Sequence, residues 1–273
     1  MVKSSKILKE NLSLIQLFKL DKKSILLHSL LEWYNINNVT SFFPFEFNEL
    51  PDAKLIDKET LLIDESNEFE DTFEKNKKKL VIQADSLESL KNQLENFDGC
   101  ALNKTSTNLV FSDGNKKSKV MVIGEAPGEE EDKTGKPFKG QAGKLLDKML
   151  DAIGQNRKNT YITNLIFWRP PGNRNPTIEE INACLPFVLK HIELIKPKIL
   201  ILAGAIAAKA ILKENNKGII QLRGKWQNFT LNNSTNIKTM PIFHPAFLLR
   251  QPSRKRDAWE DLKKIKKEID LIT

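Results

Sequence analysis

Cysteine is nearly absent: Cys100 and Cys184 are the only two among 273 residues, so no multi-bridge disulfide scaffold can hold this chain. Long apolar runs are missing too. The longest, residues 199–202 with 203–208 behind them, falls far short of the roughly 18 apolar residues that a bilayer span needs. At the amino terminus Lys9, Glu10 and Asn11 interrupt the apolar positions, so a signal-peptide core is lacking. These absences set the expectation of a cytoplasmic protein with no membrane segment. Neither G-x-x-x-x-G-K-[ST] nor G-x-G-x-x-G occurs, which removes the two commonest glycine-rich phosphate cradles.

What remains is 40% hydrophobic and 29% charged, enough chain for one large domain or a domain with an appendage. The charge is unevenly divided. Residues 1–100 carry 13 Lys and Arg against 18 Asp and Glu, a net of −5, whereas residues 101–273 carry 30 against 17, a net of +13. Such an excess suits a polyanion binder, although charge alone does not separate that from a solvated lysine-rich surface.

Three regions follow. Residues 1–45 read as two amphipathic helices, a docking appendage, with Leu8, Leu12 and Ile15 on one and Leu26, Leu30 and Trp33 on the other. Residues 46–84, which include an acidic run (64–71) and a basic cluster (75–79), read as a partly disordered linker. In residues 85–273, Asp85 and Glu88 have capping-box spacing ahead of a short helix. Beyond residue 118, short apolar runs (120–123, 160–166, 199–202, 239–243) alternate with helical patterns (143–153, 177–194, 205–212, 256–272). That alternation predicts a parallel sheet with helices on both faces, whose ligands lie beyond the carboxyl ends of the strands.

Chemistry concentrates in the loops that follow the runs. After 120–123 comes Gly124-Glu-Ala-Pro-Gly, then Glu129 to Asp132, then Gly135-Lys-Pro-Phe-Lys-Gly140. The acids would repel phosphate, while the backbone of Gly124 and Ala126, the carboxylates of Glu125 and Glu131 and the ring of Phe138 suit a small, planar, polar ligand. Asn164 stands in an otherwise apolar run, and its amide edge can match N3–H and O4 of uracil or bond a neighbouring loop. Arg169-Pro-Pro-Gly-Asn-Arg174 is stiff and basic, fit to grip a phosphate backbone. His244-Pro-Ala at a strand end offers a donor to a carbonyl oxygen gaining charge. Leu248, Leu249 and Arg250 form an apolar tip with basic flanks, a candidate wedge between bases.

Together these motifs, in this order, resemble the uracil-DNA glycosylase superfamily, most closely its family 4 enzymes, over roughly residues 98–270. The resemblance implies a three-layer α/β/α sandwich around a parallel four-stranded sheet, and hydrolysis of the bond joining uracil to deoxyribose. It implies that Gly124, Glu125 and Ala126 line the base pocket, Phe138 stacks on the flipped base, Asn164 reads its edge and His244 faces O2. Glu131, ahead of Glu125, falls where a carboxylate serves the reacting water. Arg169, Arg174, Leu248, Leu249 and Arg250 would meet DNA. The expected partner is uracil-containing DNA, bound by a monomer whose N-terminal helices could recruit a repair or replication protein.

Family 4 enzymes hold a [4Fe–4S] cluster on four cysteines, and the corresponding positions here read Cys100, Asn103, Trp168 and Cys184. No cluster and no other metal is expected. The region around Arg169 also lacks the Lys-Arg-Arg-Ile-His insert of the branch that bonds covalently to DNA, so ordinary turnover is expected. Two alternatives stand beside this reading: a catalytically decayed DNA-binding or interaction protein of the same fold, and a glycosylase whose main substrate is another deaminated base.

Overall fold

Strands in the middle of a sheet covered on both sides need apolar residues on both faces, and three five-residue segments of this chain are buried at every position. The computed structural model describes residues 82–214, 216–231 and 235–272. The chain divides into two compact units, Met1–Phe69 and Glu70–Thr273, and the described residues all fall in the second. The two helices expected in residues 1–45, and the linker up to residue 81, lie outside the described residues.

In chain order the described elements are α1 (Leu87–Glu95), β1 (Asp113–Gly114), β2 (Val120–Gly124), α2 (Glu129–Thr134), α3 (Gln141–Asp151), β3 (Thr160–Asn164), α4 (Ile178–Ile195), β4 (Ile199–Ala203), α5 (Ala205–Leu212), α6 (Ile219–Leu222), β5 (Gln227–Leu231), β6 (Thr235–Ile242), α7 (Pro245–Arg250) and α8 (Lys255–Ile272). Among the described residues, no helix is long and apolar enough to cross a membrane.

The sheet runs β1-β3-β2-β4-β6-β5. Its centre, β3-β2-β4-β6, is the expected set of four parallel strands. Two antiparallel edges, β1 and β5, extend it to six. Neither edge strand has an apolar run to announce it: β1 is two residues long, and β5 keeps Asn228 and Thr230 exposed on its open face.

Alternation along the strands sorts the core into two layers. Met121, Ile123, Leu200 and Leu202 face α1, α4 and α5, where they meet Leu90, Leu94, Phe187, Val188, Ala208 and Ile211. Val120, Val122, Ile199 and Ile201 face α3, α7 and α8, where they meet Leu146, Leu150, Leu248, Leu262 and Ile265. This is the predicted three-layer arrangement.

Caps set the helix starts. Ser86, rather than Asp85, caps α1, its hydroxyl accepting from Ser89 N at 3.2 Å. On α4 the Thr177 hydroxyl accepts from Glu180 N, and the Glu180 carboxylate accepts from Thr177 N in return.

His191, on the inner face of α4, is fully buried among the rings of Phe111, Tyr161 and Phe167, with centroids 4.4, 6.0 and 5.5 Å away. Neither ring nitrogen has a hydrogen-bond partner among the described residues, and burial pulls its pKa down to about 3. The folded state therefore holds this ring neutral while the unfolded chain protonates it below about 6.5, so stability falls as pH drops from about 6.5 toward about 3. One such proton steepens the fall by up to about 1.4 kcal/mol per pH unit. His191→Leu is expected to remove that share of the slope, read from urea unfolding at pH 7 and pH 5; an unaltered slope would refute it.

Candidate active site

Parallel pairing brings the carboxyl ends of β2, β3, β4 and β6 to one rim of the sheet. Gly124 pairs with Asn164 across β2 and β3, and the alignment continues outward through Leu165 N to Gly124 O (2.9 Å) and Ile166 N to Glu125 O (3.0 Å). Beyond β4, Gly204 N bonds Ile242 O at 3.0 Å. Gly204 adopts φ +101°, and a Cβ there would lie 3.1 Å from the Cβ of His244. Gly124, Asn164, Gly204 and His244 thus arrive together from four strand ends.

Gly124 is where the groups touch. A Cβ at this position would sit 2.4 Å from Asn164 Oδ1 and 2.4 Å from Phe138 Cζ, so the bare backbone lets both side chains close over it. Asn164 is 2% exposed, and its amide makes no hydrogen bond with any described residue. Of the two options read from the sequence, the neighbouring loop does not take it. Phe138 is 5% exposed with its backbone in the left-handed region, φ +55°, and its ring lies 5.7 Å from the His244 ring, tilted by 30°. The side chains of residues 138, 164 and 244 therefore converge.

His244 caps α7, with Nδ1 accepting from Ala246 N at 3.2 Å, so the neutral ring carries its proton on Nε2 as a donor. Burial draws its pKa down to about 4, Arg250 adds to the shift, and Glu131 opposes it. The imidazole is neutral near pH 7.

The two candidate carboxylates differ sharply. Glu131 is buried on α2 and accepts three backbone N–H bonds: Gly128 N at 3.0 Å, Lys139 N at 2.6 Å and Gly140 N at 2.8 Å. It staples the loop after β2 to the loop that carries Phe138. Glu125 is half-buried and accepts no hydrogen bond from the described residues. Desolvation raises its pKa, against the pull of Arg250. Ala126 is half-buried beside it. The sequence showed the acids but not which of them the backbone would occupy.

At the proposed DNA face the structure corrects one expectation. Leu248 is 1% exposed and belongs to the core, because Pro245–Arg250 is a helix that turns residues 245 and 248 inward. Leu249, 43% exposed, and Arg250 remain at the surface. Arg169 Nε bonds Asn173 Oδ1 at 2.8 Å, and among the described residues the rest of its fork is approached by Glu129 alone, at 3.9 Å. Arg174 is held bidentately by Glu180 at 2.9 and 2.6 Å, so its guanidinium is already engaged at the start of α4.

The residues at the family's cluster positions do not fit four-thiolate ligation. Trp168 is buried in the α4 layer, and Asn103 donates through Nδ2 to Phe97 O at 2.7 Å. Cys100 and Cys184 are free, buried thiols; the neighbouring Cys184 draws Cys100 down to about 7, and Cys100 together with burial holds Cys184 up. Two thiols in the whole chain fall short of the four an ordinary [4Fe–4S] centre requires.

Two measurements follow. Gly124→Ala is expected to cost about 1–3 kcal/mol of stability through overpacking, with an unmoved urea midpoint as the contrary result. Protein purified without oxygen is expected to show no absorbance near 400 nm; such absorbance with iron at about four atoms per chain would contradict the mismatch in ligands.

Comparison with known proteins agrees with this geometry. Residues 111–263 match the family described as the uracil DNA glycosylase superfamily. The chain is 40% identical over 186 residues to the type-4 uracil-DNA glycosylase of Sulfurisphaera tokodaii, covering 67% of this chain and 84% of that one. It is 36% identical over 190 residues to that of Archaeoglobus fulgidus (66% and 92% covered) and 38% identical over 185 to that of Thermotoga maritima (67% and 94%). The family match over residues 111–263 and these relatives show that the chain belongs to the uracil DNA glycosylase superfamily, close to its type-4 members.

Proposed function

We propose that this protein removes uracil from DNA by hydrolysing the bond between the base and deoxyribose, leaving an abasic site. The observation that carries the reading is the convergence of Asn164, whose amide bonds no described residue, with the Phe138 ring over the bare backbone of Gly124. An everted pyrimidine would supply the bonds that the amide lacks: Oδ1 accepts from N3–H, and the amide N–H donates to O4. Cytosine presents the opposite pattern on that edge and is rejected.

Each remaining side chain has a task. Phe138 stacks on the base, and the backbone at Gly124, Glu125 and Ala126 walls the pocket. As the glycosidic bond breaks, the sugar becomes cationic and the departing ring anionic. The Nε2–H of neutral His244 then donates to O2, where charge develops. Glu125 orients the water and offsets the cationic sugar. The reason to place it ahead of Glu131 is bonding: Glu131 already accepts three backbone N–H groups, whereas Glu125 accepts no hydrogen bond from the described residues. Leu249 enters the base stack, and Arg250 and Arg169 hold phosphates. Arg174 would have to leave Glu180 to join them.

The chain acts as a monomer in the cytoplasm, its catalytic region spanning residues 85–273, with residues 1–45 as a docking appendage behind the 46–84 linker. The basic excess after residue 100 favours a polyanionic substrate.

Incubation with a uracil-containing oligonucleotide followed by alkali should cleave the strand at uracil; an intact strand at stoichiometric enzyme would reject the proposal. Binding without release would indicate the decayed DNA-binding alternative, and release of hypoxanthine or xanthine in preference would indicate another main substrate. His244→Ala is expected to slow single-turnover excision by about 10²–10³-fold with DNA affinity kept. The rate should also fall on the acid side as Glu125 gains a proton, at a pH above the ordinary glutamate range, because burial favours the protonated form. Glu125→Gln should slow the reaction and flatten that limb; a limb that persists would shift the role elsewhere.

A further inference from the structure

Phe138 is a bulky residue in a backbone conformation that L residues rarely adopt, so something must hold it there. The loop is gripped from two sides. The Glu131 carboxylate takes the amides of Lys139 and Gly140. The opposite grip comes from Arg157, in the connection between α3 and β3, whose guanidinium donates through Nη1 to Pro137 O at 3.0 Å and through Nη2 to Phe138 O. An anion thus holds two successive amides, and a cation holds the two carbonyls just before them.

The guanidinium is itself fixed. Its Nε donates to Asp147 Oδ1 at 2.9 Å on α3, and Nη1 donates to Asp113 Oδ2 at 2.8 Å on β1. Lys139 reaches the same Asp113 oxygen at 2.8 Å. The rigid fork of arginine can hold two carbonyls and two carboxylates in one plane, whereas a lysine ammonium cannot. Gly143 completes the clamp, because a Cβ there would lie 1.8 Å from Phe138 O.

We propose that Arg157 is the positioning residue for base stacking: by holding the Pro137 and Phe138 carbonyls it sets the Phe138 ring against Gly124 and His244 before any base arrives. Arg157 itself does not touch the base. This assignment rests on the stacking role given to Phe138 above. Its consequence is that Arg157 and Phe138 contribute to excision as one unit, and units of that kind are not additive.

The test is a double-mutant cycle on single-turnover uracil release by the full-length protein. Arg157→Lys keeps the charge and loses the fork; it is expected to slow release by about 10–100-fold with DNA affinity unchanged, the scale that misplacement of a reacting partner produces. In a Phe138→Ala background the same change is expected to cost less than about 2-fold. Equal losses in both backgrounds would show that Arg157 only braces the fold, and no loss in either would overturn the proposal. Asp147→Asn, which removes one of the two carboxylate charges that fix the guanidinium and keeps the arginine, should give a smaller loss with the same dependence on Phe138, and it serves if Arg157→Lys does not fold. Hydrogen exchange of the 136–140 segment needs no substrate and is expected to quicken in Arg157→Lys. Unchanged exchange would overturn the clamp even where wild-type protein releases no uracil, a result that would sink the glycosylase reading instead.

Discussion

The contact at Gly124 is the constraint on which the rest of the site depends. Two side chains from different elements, Asn164 at the end of β3 and Phe138 in the loop before α3, close on one backbone position that has no room for a methyl group. Such an approach works only where the strand ends are held in register, and the parallel ladder of β2 with β3 supplies that register. The six-stranded sheet therefore serves as a ruler. It brings residues 40 apart in sequence, Gly124 and Asn164, to facing positions, and it places Gly204 and His244 at the same rim.

Charge at the rim is arranged by environment more than by residue type. Glu125 and Glu131 are chemically identical, yet the backbone occupies one with three N–H bonds and desolvates the other without a partner. Arg250 acts on Glu125 and on His244 at once, lowering the pKa of both. A neutral imidazole beside an arginine can donate a hydrogen bond without adding a second positive charge to the pocket. The same arginine is exposed on α7 next to Leu249, so a phosphate drawn to it would weaken its effect on both neighbours.

Much of this was legible in the sequence because periodicity and loop chemistry are local. The apolar runs at 120–123 and 199–202 became β2 and β4, and the loops behind the runs carry the converging groups. What escaped was non-local. Whether Leu248 points in or out depends on which face of the six-residue α7 the distant helices α3 and α8 cover. The polar edge strand β5 exists because β6 needs a partner on that side. Nothing adjacent to Arg157 announces its role, since its partners Asp113, Pro137, Phe138 and Asp147 lie in three other segments. Glu131 looked like a free acid because two of the three amides that occupy it belong to a turn 8 and 9 residues away.

The two core layers also separate the rim from the positions of Cys100, Trp168 and Cys184. Those residues pack in the layer of α1, α4 and α5, whereas Phe138, Phe243 and Leu248 pack in the layer of α3, α7 and α8, and the sheet lies between. The direct link is the short segment from Asn164 to Trp168, which leaves β3 and enters the α4 layer. Its first two amides past the strand are tied to Gly124 O and Glu125 O, and Val110 N bonds Phe167 O at 2.8 Å further along. With the segment anchored at both ends by backbone bonds, a change of side chain at 168 alters packing on the α4 side before it reaches the amide of Asn164. Backbone anchorage, rather than the group that occupies the cysteine positions, fixes where the Asn164 amide sits.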